Sequence, residues 1–178
     1  MWVFTLGRST NRRVRCYHCV SAHIRIREVG ALVSLSQLLN NISKAATGPK
    51  TCAVFDFDGT IISGYSATAF LKDQIARGEI SPADLVQLTQ ATTRFGIGSL
   101  GFSALMAVHA QYLAGRSETD YIANSERLFR KAIAKLIYPE ARQLIEAHRA
   151  AGHSIAIISS ATPYQVLPAA KDLGIEHV

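Results

Sequence analysis

The sequence is short of acids, of cysteine and of long apolar runs. Thirteen Asp and Glu stand against nineteen Lys and Arg, for a net charge of +6 over 178 residues. The imbalance is local. Residues 1–30 carry six arginines (Arg8, Arg12, Arg13, Arg15, Arg25 and Arg27) and one acid, Glu28, so this segment is +5 and the remainder only +1. The high charge belongs to the amino-terminal segment and is weak support for nucleic-acid binding, so no nucleic-acid partner is expected. Three cysteines, an odd number, do not make a disulfide framework. They fit a reducing compartment, and the cytoplasm is the expected location. No apolar run reaches bilayer length, so no transmembrane segment is expected. The most apolar helical stretch, Leu100 to Leu113, is interrupted by His109 and Gln111 and reads as a buried or half-buried helix. The apolar content of 48% suffices for one core, with room for an insertion.

The chain begins with a segment unlike the rest. Residues 1–30 are rich in arginine, serine and threonine and show no clean period. Three readings compete: a transit-like presequence, a zinc site from Cys16, His18, Cys19 and His23, and a basic, disordered tail. A single CxxC lacks a second ligand pair at finger-like spacing, so the tail is preferred. Residues 31–50 form an amphipathic helix and linker. Leu32, Leu35, Leu38, Leu39 and Ile42 share one helical face, and Thr47-Gly48-Pro49 ends it.

The stretch AVFDFDGTI, Ala53 to Ile61, organises the rest of the chain. Ala53, Val54 and Phe55 read as a buried strand of an α/β sheet. Ligands in such sheets bind at the carboxyl ends of the strands, where Asp56 stands, with Asp58 two residues on. Two acids this close at a strand tip are costly without a cation between them, and hard oxygen donors suit Mg2+. Residues 63–136 then read as almost all helix. Helices are expected over Ala67 to Arg77, Ser81 to Arg94, Phe102 to Ala114 and from Ser117 to about Lys135, with GIGSLG (Gly96 to Gly101) as a breaker. Pro139 opens a further helix to Ala151. The run His153 to Ser160 is a second buried strand, and Thr162-Pro163 starts another helix to Leu173. Ile175 to Val178 is the opening of a third strand.

Both strands lead through a turn into a helix, so parallel pairing is natural and their tips become neighbours. One tip offers carboxylates. The other offers the hydroxyls of Ser159 and Ser160 and the free N–H groups of a helix start, which hold phosphate oxygens well. Carboxylates, Mg2+ and a phosphate cradle point to phosphoryl transfer. Asp56 is placed to attack phosphorus and form an aspartyl-phosphate. Asp58 is placed to protonate the leaving oxygen and then to activate water. Gly59, Thr60, Ser159 and Ser160 are the candidate phosphate contacts, although Thr60 can equally bond within its own turn. Tyr65 and Ser66 are candidates to face the site. Arg94 is a candidate substrate contact, set against a solvated arginine. His109 reads as a core or surface residue, and Cys52 as a small buried one.

These residues carry a resemblance. DFDGT (Asp56 to Thr60) resembles the first signature of the haloacid dehalogenase superfamily of phosphohydrolases, and IAIISSATP (Ile155 to Pro163) resembles its second. The insert is similar to the cap of the phosphoserine-phosphatase-like subfamily, IB. The resemblance implies a Rossmannoid parallel sheet with an inserted helical cap: a core from residues 51–62 and 137–178, and a cap over 63–136. It implies Asp56 as nucleophile, Asp58 as acid/base, and Mg2+ held by the Asp56 side chain and the Asp58 carbonyl. GYSATAFLKDQI, Leu136 to Gly152 and the last twenty residues resemble the dehalogenase domain of bifunctional proteins bearing a 1-acylglycerol-3-phosphate acyltransferase-like domain.

The superfamily also takes a lysine and an acid pair from beyond its second signature. After Ser160 the basic side chains are Lys171 and His177 and the acids are Asp172 and Glu176. The expectation is an incomplete core lacking a C-terminal part, with one edge of the Asp56 strand open, marginal stability and little activity. No histidine has Asp five positions on, so the chain is not itself the acyltransferase. The expected function is Mg2+-dependent hydrolysis of a small phosphomonoester. The alternatives are the accessory part of a phospholipid-synthesising acyltransferase and a non-catalytic fragment that binds a partner.

Overall fold

The computed structural model describes residues 2–5, 34–80, 83, 86 and 113–178. The zinc candidates Cys16, His18, Cys19 and His23 lie outside the described residues, as do the GIGSLG breaker, Arg94, His109 and most of the two helices expected over 81–94 and 102–114. The chain divides into two units: residues 1–67 with 129–178, and residues 68–128.

In the first unit, β1 (Trp2–Thr5), β2 (Thr51–Phe55) and β3 (Ser154–Ile157) form a sheet in the order β1-β2-β3. β2 and β3 pair in parallel, with Cys52 opposite Ser154 and Phe55 opposite Ile157. The parallel pairing agrees with expectation, because each strand runs directly into a turn and a helix. Beyond β3, the Ile157 N–H donates to the His177 carbonyl at 2.9 Å, and Ala156 and His177 form a parallel bridge. The expected third strand is therefore present as a single bridge.

β1 corrects two expectations. Residues 2–5 are a strand, not part of a disordered tail. They pair antiparallel along β2, with Trp2 opposite Val54 and Thr5 opposite Thr51. The edge of β2 expected to be open is covered. The physical reason is composition: Trp-Val-Phe-Thr is aromatic and β-branched, which fits a pleated surface, and an unpaired strand edge is a standing template for such a segment.

The helices obey their caps. α1 (Leu35–Lys44) starts at Ser34, whose Oγ accepts from the Gln37 N–H at 3.2 Å while Gln37 Oε1 accepts from the Ser34 N–H at 2.8 Å. Its apolar face buries Leu38 and Ile42, and it packs on α4 (Pro139–Ala150). α5 (Pro163–Leu173) ends at Gly174 with φ +63°. The Arg149 guanidinium donates to the Leu173 and Gly174 carbonyls there, placing a cation at the negative end of the helix. Arg142 joins the same two helices through Asp172 at 2.7 Å.

α2 (Ser66–Ala76) begins in the first unit and passes into the second. In the second unit, α3 (Glu118–Leu128) is capped by Ser117, whose Oγ accepts from the Asp120 N–H at 3.3 Å. Arg127 donates to Asp73 at 2.5 Å, and Phe70 meets Tyr121 at 6.1 Å between ring centroids. Burial alone would raise the Asp73 carboxyl, but Arg127 and Arg77 more than offset it and hold it below the usual range. The helix expected to run to Lys135 changes pitch on re-entering the first unit. A π turn over Phe129–Ile133 and a 3-10 turn over Ala134–Leu136 replace the α-helix. They bury Phe129 and Ile133 in the core.

Two buried histidines lie behind β2. His148 Nδ1 and His153 Nδ1 are 2.8 Å apart, and His153 Nε2 is 3.0 Å from the Ala46 carbonyl. A carbonyl only accepts, so His153 carries its proton on Nε2 and its Nδ1 accepts from His148 Nδ1–H. His148 Nε2 is then a bare lone pair, buried without a partner among the described residues. The His148 ring meets Phe55 edge-on at 6.1 Å. Burial, with the charge of His153 adding to it, lowers His148 to about 4.

This packing has two measurable consequences. Deleting residues 1–5 uncovers β2 and should cost about 1–3 kcal/mol of stability and promote aggregation, read by denaturant unfolding and light scattering. An unchanged unfolding midpoint would deny β1 its role. Second, the unfolded chain binds more protons than the folded one between pH 4 and the ordinary histidine value. Stability from His148 is therefore complete above that ordinary value and falls as pH drops towards 4, by roughly 3 kcal/mol. His148→Asn keeps a donor for His153 and removes the titration. Urea unfolding at several pH values should show a flatter profile in the variant.

Candidate active site

The strand-tip geometry grows out of β2. All its residues but Cys52 are buried, with Ala53 and Phe55 at 0% and 2% exposure, and the chain emerges at Asp56, which is exposed. Cys52, read as a small buried residue, is half-buried, and that burial pushes its thiol up. The Asp56 Oδ1 accepts from the Phe57 N–H at 2.7 Å, which fixes the side chain against its own turn. Phe57 returns to the core at 0% exposure, and its carbonyl collects the N–H groups of Thr60, Ile61 and Ile62 at 3.3, 2.9 and 3.1 Å. This tight coil places Asp58 half-buried beside Asp56.

Gly59 takes φ +71°, and its N–H donates to the Gly64 carbonyl at 2.9 Å. That donor is already engaged, so Gly59 contributes a turn that side-chain-bearing residues rarely adopt. The Thr60 N–H likewise bonds inside the turn. The loop closes back on the core through Ser63 N–H to the Leu136 carbonyl at 2.8 Å and Tyr138 N–H to the Ile61 carbonyl at 2.9 Å.

Asp58 is held on both carboxylate oxygens by one residue. The Ser66 N–H donates to Oδ1 at 2.8 Å and the Ser66 hydroxyl to Oδ2 at 3.2 Å. Ser66 is fully buried at the first position of α2. Burial raises the Asp58 carboxyl above the ordinary range. The two Ser66 bonds oppose this, and the Asp56 charge adds to the rise. The sequence puts Ser66 near the site but does not reveal its attachment to Asp58. A serine opening a helix shortly after the acid is the available signal. Tyr65, beside it, is exposed.

The second tip lies alongside. The Ile158 N–H donates to the Phe55 carbonyl at 2.9 Å, so the parallel ladder continues to the residue before Asp56. The turn carrying Ser159 and Ser160 leaves the same end of the sheet. Ser159 is half-buried, and its Oγ accepts from the Ala161 N–H at 3.1 Å. Ser160 is exposed. At the α5 start one of the expected N–H groups is already taken. Gln165 Oε1 accepts from both the Thr162 N–H at 2.7 Å and its hydroxyl at 2.9 Å, and Pro163 has no N–H.

No group of three or more His, Cys, Asp or Glu side chains suited to a metal occurs among the described residues. The donors at the β2 tip are oxygens alone, and two carboxylates repel each other there. Mg2+ needs only one or two protein carboxylates when phosphate and water complete its shell. The donor set therefore fits that ion.

A strand ending in DxDGT, with a parallel strand delivering serines to the same end, defines a class. The chain belongs to the haloacid dehalogenase-like hydrolase family, whose family model matches residues 53–178. It is 30% identical over 118 residues to a phosphoserine phosphatase of Mycobacterium tuberculosis, covering 64% of this chain and 38% of that protein. It is 26% identical over 130 residues to a histidinol-phosphatase of Neisseria meningitidis, covering 72% of this chain and 59% of that protein. The chain thus spans less than two thirds of the length of each of these relatives. A solved structure of a protein of unknown function from Bordetella pertussis superposes with a TM-score of 0.58 at 21% identity, over 71% of this chain and 57% of the other, which supports the fold. No helix among the described residues is long and apolar enough to cross a membrane.

The turn itself is open to test. Among the described residues, no heavy atom beyond its chain neighbours lies within 4 Å of a Cβ added at Gly59. Gly59→Ala should therefore cost about 1–2 kcal/mol from backbone strain alone, measured by thermal unfolding.

Proposed function

We propose that the protein is a phosphatase that hydrolyses a small phosphomonoester through Asp56 and Asp58. One observation carries this reading: the parallel register of β2 and β3 sets an exposed carboxylate and a serine turn at one end of the sheet. Family membership and relatives named as phosphatases support it.

Asp56, exposed and fixed by the Phe57 N–H, is the nucleophile. Its oxygen attacks phosphorus and forms an aspartyl-phosphate, and the bond from phosphorus to the alcohol oxygen breaks. The electron pair goes to that oxygen, which takes its proton from Asp58. Burial and the nearby Asp56 charge favour a protonated Asp58, as the first step needs. Once ionised, Asp58 draws a proton from the water that cleaves the aspartyl-phosphate. Ser159 and Ser160 offer hydroxyls to the phosphoryl oxygens, and Thr60 and Gly59 line the opposite turn. The Asp56 carboxylate and the Asp58 carbonyl are the proposed Mg2+ ligands. A bound Mg2+ offsets the repulsion between phosphate and carboxylates and stabilises the spreading charge. The odd cysteine count supports a cytoplasmic setting.

Asp56→Asn should abolish Mg2+-dependent release of phosphate from p-nitrophenyl phosphate, a loss of at least roughly a thousandfold. Removal of Mg2+ by chelation should do the same in the parent protein. Turnover that survives Asp56→Asn would overturn the reading.

A further inference from the structure

We propose that Ser66 is a positioning residue, which clamps the Asp58 carboxylate in the orientation that delivers its proton to the leaving oxygen. The inference rests on the phosphatase reading above. Its ground is the two-point contact: Ser66 N–H on Oδ1 at 2.8 Å and Ser66 Oγ on Oδ2 at 3.2 Å. One bond to a carboxylate leaves it free to rotate about its terminal torsion, which is broad and shallow for Asp. Two bonds from one rigid residue remove that freedom. Ser66 is itself rigid, because it is fully buried and its backbone starts α2. With Ser66 buried and Asp58 half-buried, water competes for these bonds less than at an exposed site.

The two donors differ. The backbone N–H only donates, so Oδ1 always faces a donor. The hydroxyl also donates, to Oδ2. It donates to the ionised oxygen and, when Oδ2 is protonated, to that oxygen's remaining lone pair, which leaves the Oδ2 proton free to point at the leaving oxygen. The clamp therefore persists through both half-reactions. In the first, the P–O bond breaks, its electron pair passes to the alcohol oxygen, and the Asp58 proton moves to that oxygen. In the second, a proton from the attacking water arrives on the same carboxylate. Alanine at this position keeps the first contact and loses the second.

A residue needed only for folding would affect all substrates alike. A residue that aims a proton matters most where the leaving group needs one. An alkoxide is a poor leaving group without protonation, whereas p-nitrophenolate departs readily as the anion. In Ser66→Ala we expect kcat/KM for methyl phosphate to fall by roughly tenfold and that for p-nitrophenyl phosphate to change by less than about twofold, with KM little altered for either. The ratio of the two values does not depend on the fraction of protein folded. Ser66→Thr retains the hydroxyl and should restore the parent ratio. Equal losses on both substrates, or a Thr variant that behaves as Ala does, would overturn the clamp and leave the phosphatase reading standing. A parent protein that hydrolyses neither ester would overturn both.

Discussion

An aspartate held half out of water beside a second aspartate is the constraint on which the tip of β2 is built. Burial and like charge both disfavour the ionised form, and both act on Asp58. The surrounding chain meets this in two ways. The Phe57 carbonyl gathers three N–H groups into a coil that fixes the distance between the acids. Ser66 supplies two donors to the carboxylate that cannot reach bulk water freely. Asp56 is treated differently. It is left exposed, with one bond from its own turn. Two identical side chains two residues apart thus occupy unlike settings, as the proposed division into nucleophile and proton carrier requires.

The coil is rigid only because β2 is. A strand with Ala53, Val54 and Phe55 buried needs partners on both edges, since an unpaired N–H or C=O in the core is costly. β3 takes one edge and aligns the serine turn with Asp56. β1 takes the other. Behind the sheet, the His148–His153 pair joins α4 to the carbonyl of Ala46, just after α1. His148 also packs edge-on against Phe55, immediately before Asp56. The base of the site is therefore braced by the strand pairing and by the hydrogen-bonded imidazole pair.

How much of this the sequence discloses depends on how far apart the interacting residues lie. Asp56, Asp58 and Ser159 are legible because strand, turn and helix signals surround each within a few positions. The same holds for α1, α4 and α5, whose caps (Ser34 with Gln37, Pro139, Thr162 with Gln165) are local. β1 is illegible: nothing within residues 1–30 indicates that Trp2–Thr5 has a partner fifty residues on, and the arginines around it favour a disordered reading. His148 carries no local signal of burial, and only the packing of its helix beside Ala46 and His153 reveals it as buried. The π turn at Phe129 is likewise invisible, because the sequence remains a good helix former while the core demands that Phe129 and Ile133 turn inward. At the start of α5 the motif is legible but its donors are not, since Gln165 engages the Thr162 N–H that a simple helix-start argument leaves free.

Connectivity distinguishes the two acids in one further respect. Asp56 is tied to the sheet through β2 alone. Asp58 is tied to Ser66, which opens α2, and α2 crosses into the second unit at Thr68. Ser66, the proposed positioning residue, is therefore two positions from the second unit, on one continuous helix. The proposed proton carrier is thus anchored to the helix that leads into the insert, whereas the proposed nucleophile is anchored to the strand.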